Sequence, residues 1–263
     1  MQKADLTQAI ENNLFEVWEF LSAIPQVDYH GSPKMIRYIS GVLFPLCNNI
    51  MRANFPAEDL DSQIKEALAP IKSRQLPMFW WIGPATRPVD LGRYLEKEGL
   101  SLAEHIPGMA ADLDAMKTNP VDLPDLVIRE VKEVTTLGAW LEVFRTGFEM
   151  PDVVVDFFGN AMSQIGFHPD LRYQHYLGLW KDKPVACSSV YLGDDAAGIY
   201  NVATLSAFRG RGIGSFMTRW PLLLAKERGF RIGILHATPM GVPVYEKMGF
   251  KECCRLAIYH WQP

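Results

Sequence analysis

The sequence predicts an α/β (α+β) protein built on a central mixed sheet flanked by helices. Three observations carry this. From residue 126 onward, strand-like runs alternate with segments whose apolar residues recur at helical spacing. Three of those runs follow one another through short turns, the pattern of a meander. A turn with glycines at alternate positions, Gly210, Gly212 and Gly214, then joins the last run to an amphipathic segment.

Taken in order, "LVIREV" is a short strand and "TTLGAWLEVFRTGF" a helix with Leu137, Trp140, Leu141 and Phe144 on one face. "EMPDVVVDFFGNAMSQIGF" reads as a loop and a second helix. "YLGLW" turns at "KDKP" into "VACSSVYL", which turns at "GDD" into "GIYNVATL". The helix after the glycines places Ile213, Phe216, Met217, Trp220, Leu223 and Leu224 on one face, with a kink expected at Pro221. The strand "RIGILHA", a short helix in "VPVYEKMGF" and a last strand "CRLAIYHW" complete the chain.

"KTNPVDLPDL" (Lys117 to Leu126) has two prolines and no apolar periodicity, so it reads as a linker between a first domain over 1–118 and a second over 125–263. The first half echoes the second. "PMFWWIGPATRPVDLGRYLEKEGLSL" and "RIGILHATPMGVPVYEKMGF" both run strand, Ala-Thr turn, helix, then Glu-Lys-x-Gly, an internal repeat at domain scale. "FWW" (Phe79 to Trp81) is expected to be a buried strand.

Hydrophobic residues make up 48% and charged residues 21% of the 263, which suits a globular protein with a sizeable core. The formal charge of −4 argues against a nucleic-acid binder. No apolar run approaches the ~18 residues of a membrane span, and the first residues lack a secretory signal pattern. Cys47, Cys187, Cys253 and Cys254 show neither zinc spacing nor CxxC, so no metal site is expected and the thiols read as buried and reduced, in a cytoplasmic protein.

Glycines between a strand and a helix let unpartnered backbone N–H groups approach an anion, and the helix dipole favours it. Arg209 and Arg211 add charge at the rim, so the site is shaped for a diphosphate. A P-loop is excluded because "GIGS" carries no lysine. A dinucleotide fingerprint is excluded because Met217 stands where its last glycine belongs, and "IGILHA" ends without an acid.

Arg209-x-x-Gly212-x-Gly214, following "NVATL" and opening a helix, resembles the acyl-CoA pyrophosphate loop of the GNAT (GCN5-related) N-acetyltransferases, whose pattern is Gln/Arg-x-x-Gly-x-Gly/Ala. "VYEKMGF" resembles the end of that family's second CoA motif. The resemblance covers about residues 126–263 and departs at Ser206, where many members carry proline. It implies the acyl-CoA N-acyltransferase fold, acetyl-CoA as co-substrate and a small-molecule or peptide amine as acceptor. Val202, Ala203 and Thr204 would lie on a strand that splays from "RIGILHA" to admit pantetheine. The main chain from Gly210 through Arg211, Gly212, Ile213 and Gly214 to Ser215 would hold the pyrophosphate. Tyr245 falls where the family has its general-acid tyrosine. The family's strand glutamate is absent. His236, the titratable group on that strand, is a candidate base; Glu149, Asp152 and Asp156 are further candidates, and bulk water is the alternative. Glu149, Asp152 and Asp156 lie in the segment that the resemblance places over the acceptor.

By the repeat, the first half resembles a degenerate second copy. Leu95 stands at the tyrosine position, while Glu58, Asp59 and Asp61 precede or open the corresponding phosphate helix, so no CoA site is expected there. Its roles stay open: supporting the core, completing the acceptor cleft, or forming a homodimer. A second functional class also stays open, a non-catalytic CoA-binding or regulatory module on the same fold.

Overall fold

The computed structural model describes residues 3–116 and 123–263; most of the expected linker therefore lies outside the described residues. Two compact units form: Met1–Gly108 with Cys253–Pro263, and Met109–Glu252. This division differs from the boundary read at 117–126. The last strand belongs to the first unit, because its main chain pairs with a strand there.

The first unit comprises α1 (Lys3–Leu21), β1 (Asp28–Gly31), β2 (Ile36–Ile39), β3 (Asn48–Met51), α2 (Leu60–Lys72), β4 (Met78–Ile82), α3 (Leu91–Lys97) and most of β5 (Ser101–Asp112). Strands β1, β2 and β3 are antiparallel, β4 joins β3 in parallel, and the C-terminal strand pairs antiparallel with β4. The core between α2, α3 and the sheet gathers Ile50, Ile64, Leu68, Trp80, Leu91 and Leu95. Trp80 and Trp81 are buried as expected of "FWW", and Trp81 Nε1 donates to Asn49 Oδ1 at 2.7 Å.

The second unit comprises the end of β5, β6 (Leu126–Glu130), α4 (Val134–Phe148), α5 (Asp152–Ile165), β7 (Tyr173–Trp180), β8 (Lys183–Leu192), β9 (Ala197–Thr204), α6 (Ile213–Glu227), β10 (Ile232–His236) and α7 (Val242–Lys247). The expected meander is β7–β8–β9, antiparallel throughout, with β6 at its edge. The β7–β8 turn has Lys181 and Asp182 at φ 48° and 63°, the double left-handed geometry of a tight hairpin. The β9–α6–β10 crossover makes the β9–β10 pair parallel. The last strand, β11 (Lys251–Trp261), begins in this unit and runs into the other.

The repeat is visible in the main chain. Helix α3 ends with Gly99 at φ 87° and Leu100 N–H on the Leu95 carbonyl. Helix α7 ends with Gly249 at φ 98° and Phe250 N–H on the Tyr245 carbonyl. A left-handed residue past the last turn lets these N–H groups reach back, and glycine takes that conformation without strain.

Helix α6 buries a different stripe from the one expected. Ile213, Met217, Thr218, Pro221, Leu222 and Ala225 are buried, whereas Trp220 is 41% exposed and Phe216, stacked on it at 6.1 Å, is half-buried. Small Thr218, Pro221 and Ala225 let the helix lie close to the sheet; ranking residues by hydrophobicity chose the larger ones. The helix continues through Pro221. Proline leaves the Met217 carbonyl without its helical donor, and the Ser188 hydroxyl supplies one at 2.9 Å. No helix among the described residues is long and apolar enough to cross a membrane.

Candidate active site

Pairing between β9 and β10 stops early. Ala197, Gly198 and Ile199 face Gly233, Ile234 and Leu235, and no β10 partner follows. On its other edge β9 stays paired to β8 through Thr204. Val202, Ala203 and Thr204 therefore lie on a strand whose β10 side is open. A bulge sits where this stretch begins: between Ser189↔Tyr200 and Cys187↔Ala203, Asn201 and Val202 together oppose Ser188 alone, and Asn201 sits at φ 55°.

Beyond Thr204 a single 3-10 turn, Ser206–Phe208, leads into the glycine stretch. Gly210 and Gly212 take φ of 77° and 81°, the region where a Cβ is strained. Gly214 does not; a Cβ there would meet only Thr204 Oγ1 at 3.6 Å. The first bond of α6 runs from Phe216 N–H to the Gly212 carbonyl. Among the described residues, no protein acceptor takes the N–H groups of Gly210, Arg211, Gly212, Ile213, Gly214 or Ser215. They form a run of donors at a helix N-terminus, with nothing within 4 Å of where a Gly210 Cβ would stand. The arginines are engaged at the rim. Arg209 Nε donates to the Thr204 carbonyl at 3.0 Å, and the Arg211 guanidinium lies 5.5 Å from the Trp180 ring and 5.4 Å from that of Phe208.

Tyr245, on α7, packs its ring edge-on to Phe250 at 5.9 Å. Burial pushes its phenol pKa above the ordinary 10, partly offset by the Thr218 hydroxyl of α6, so the group holds its proton throughout the neutral range. His236 ends β10, one residue past the last β9 pair, with its ring 6.4 Å from that of Tyr200. Both ring nitrogens are buried without a hydrogen-bond partner, and burial pulls the pKa down to about 4.

That depression has a measurable consequence. A histidine buried neutral binds a proton less readily than in the unfolded chain, so its contribution to stability is full above the unfolded pKa of about 6.5 and is lost as pH falls toward 4. Chemical denaturation between pH 7.5 and 4.5 is expected to show the wild type losing stability more steeply on acidification than H236Q, by on the order of 1–3 kcal/mol over that range. Equal slopes for the two proteins would exclude the depressed pKa.

The three acids are exposed. Glu149 caps the end of α4 at φ 55°, Asp152 opens α5, and Asp156 lies one turn further on. The end of α4 lies directly on the open part of β9, where a Cβ on Gly147 would stand 2.6 Å from Ala203 Cβ. That places Glu149 two residues from the β9 contact, while Asp156 is on the outward side of α5.

A buried polar cluster under α4 and α5 escaped the sequence reading. Asn201 Nδ2 donates to Tyr173 Oη at 3.0 Å and to Ser189 Oγ at 3.2 Å, and His175 Nδ1 lies 2.7 Å from the same Ser189 oxygen. His175 is wholly buried, which drives its pKa down to about 3 and keeps the ring neutral. The one hint in the sequence was an asparagine inside "GIYNVATL", since strands disfavour it.

In the first unit the corresponding space is spanned by main chain. Pairing of β3 and β4 also covers only Asn49↔Phe79 and Ile50↔Trp80, but Phe55 N–H donates to the Arg87 carbonyl and Arg87 N–H to that of Ala53. Asp59, not glycine, caps α2.

Residues 172–252 match the family model described as Acetyltransferase (GNAT) domain. Among solved structures, the fold resembles a GCN5-related N-acetyltransferase from Kribbella flavida (TM-score 0.73, 12% identity, covering 96% of this chain and 95% of that one). It also resembles a GCN5-related N-acetyltransferase from Sphaerobacter thermophilus (TM-score 0.66, 15% identity, covering 100% and 94%). A tandem GNAT protein from the clavulanic acid biosynthesis pathway aligns at a TM-score of 0.61 with 11% identity, covering 97% and 93%. At such identities the structural likenesses bear on the fold; the matched motif-bearing segment bears on the family. The segment from β7 to α7, with its splayed strands, glycine turn and α7 tyrosine, is thus the part of the chain that matches the GNAT acetyltransferase domain model.

Proposed function

We propose that the second unit transfers the acetyl group of acetyl-CoA to a primary amine by direct attack within a ternary complex. The observation that carries this is the run of six main-chain N–H groups, Gly210 to Ser215, without a protein acceptor, beside a β9 edge that β10 has left open. Acetyl-CoA supplies an activated thioester carbonyl. The N–H run binds its pyrophosphate, with the first turn of α6 adding a favourable dipole. Main-chain groups of Val202, Ala203 and Thr204 face the pantetheine amides. Tyr245, protonated at working pH, gives its proton to the departing sulfur.

His236 is a poor base here. Desolvation that lowers its pKa to about 4 disfavours the imidazolium that proton abstraction would create, and both ring nitrogens are buried. The amine proton then leaves to water. Glu149, beside the open strand, is the acid best placed to attract a cationic amine, with Asp152 and Asp156 contributing to the field around it. The first unit, with its space spanned and its α2 opening acidic, acts as a non-binding copy in a tandem arrangement.

The test uses the full chain. Calorimetry is expected to show acetyl-CoA binding at one site per chain, and a free-thiol assay to show CoA release only when an amine from a broad panel is added. Binding without transfer to any amine would replace this reading with a CoA-binding module; absence of binding would remove both.

A further inference from the structure

The bulge in β9 is held by side chains that no motif in the chain announces. Asn201 adopts φ 55°, a conformation asparagine tolerates better than most residues but seldom takes inside a strand. Three contacts fix it: its amide donates to Tyr173 Oη on β7 at 3.0 Å and to Ser189 Oγ on β8 at 3.2 Å, and its carbonyl lies 3.3 Å from the Cys187 thiol. Ser189 is itself held by His175 at 2.7 Å, and the other nitrogen of that ring lies 2.9 Å from the sulfur of Met162 on α5.

The bulge changes which way every later residue of β9 points. Strand side chains alternate, so one inserted residue exchanges the two faces downstream. Ile199 belongs to the core under α6, and Tyr200 faces the other way, its ring 6.2 Å from that of Tyr173. Asn201 shares the face of Tyr200 instead of opposing it. In consequence Ala203 meets Gly147 of α4, and Thr204 turns toward Gly214 at the start of α6. An unbulged strand would set Ala203 toward α6 and turn Thr204 away from it.

We infer that Asn201 is a positioning residue for acetyl-CoA: clamped by Tyr173 and Ser189, it fixes the bulge that presents the Val202–Thr204 main chain to the donor and delivers Thr204 to the glycine turn. This rests on the acetyl-transfer reading above. Asn201 itself need touch no substrate atom.

Asn201→Gly separates the clamp from the backbone, because glycine takes the same φ without strain and only the side-chain bonds are lost. Tyr173→Phe removes one of those bonds with the asparagine in place. Asn49→Ala serves as the comparison, since it breaks two side-chain bonds in the first unit, the buried one from Trp81 Nε1 and one to the Leu46 carbonyl. Acetyl-CoA affinity is measured by calorimetry, stability by thermal melting, and amide exchange at Val202–Leu205 by mass spectrometry of ligand-free protein.

N201G is expected to weaken acetyl-CoA by about 10-fold or more and Y173F by about 3- to 10-fold, the range for losing one or two buried hydrogen bonds. Exchange at Val202–Leu205 should quicken in both. N49A should melt lower with acetyl-CoA affinity unchanged. Wild-type affinity and exchange in N201G and Y173F would overturn the assignment while leaving acetyl transfer intact. Weakening in N49A equal to that in N201G would reduce the effect to general stability and also overturn it. A wild type that does not bind acetyl-CoA overturns the acetyl-transfer reading itself, and this assignment with it.

Discussion

Replacing Tyr245 by phenylalanine is expected to lower the rate of the chemical step by about 10²–10⁴-fold, the usual worth of a positioned proton donor. Acetyl-CoA affinity should stay within about 2-fold of wild type, because the ring and its packing on Phe250 survive and only the hydroxyl is lost. The measurement is single-turnover acetyl transfer, which isolates chemistry from product release. Its pH dependence carries a second sign. Burial raises the phenol pKa, so the wild-type advantage over Y245F should persist through pH 9 and fall away only above the ordinary tyrosine range. An advantage that disappears between pH 7 and 8 would mean another group donates the proton.

Gly210→Ala should weaken acetyl-CoA by on the order of 10-fold or more while costing only about 1–2 kcal/mol of stability, the strain of a Cβ in the left-handed region. The separation is possible because a Cβ at 210 meets no protein atom within 4 Å; what it obstructs is the approach of a ligand to the main chain. Gly229, just past the end of α6, provides the control. It too has positive φ, at 97°, and open space around it, but it lies at the opposite end of the helix. Gly229→Ala should therefore lose comparable stability and retain full acetyl-CoA binding. Equal binding losses in the two variants would show that strain, not obstruction, is being measured, and the N–H cradle would no longer account for recognition.

Much of the fold was legible because it is written in local terms. The β7–β8–β9 meander announces itself through alternation and turn residues. The glycine turn is readable because left-handed residues at 210 and 212 demand glycine. Tyr245 is located through the resemblance of "VYEKMGF" to the family's second CoA motif; the helix end that follows it and its echo at Leu95 and Gly99 share one hydrogen-bond geometry. Where the reading failed, the reason was tertiary. The α6 stripe shifted because closeness to the sheet selects small residues, which a hydrophobicity pattern undervalues.

What the amino-acid sequence determined by itself was the order and type of elements from residue 126 onward, the internal repeat and the chemistry of the turn before α6, all legible from patterns within short stretches of the chain. The tertiary structure decided three further things. It gave the last strand to the first unit, left His236 with no partner for either ring nitrogen, and assembled Asn201, Tyr173, Ser189 and His175 around the β9 bulge. Strand partnership and burial depend on residues distant in sequence whose juxtaposition is paid for by the whole core, so no local pattern encodes them.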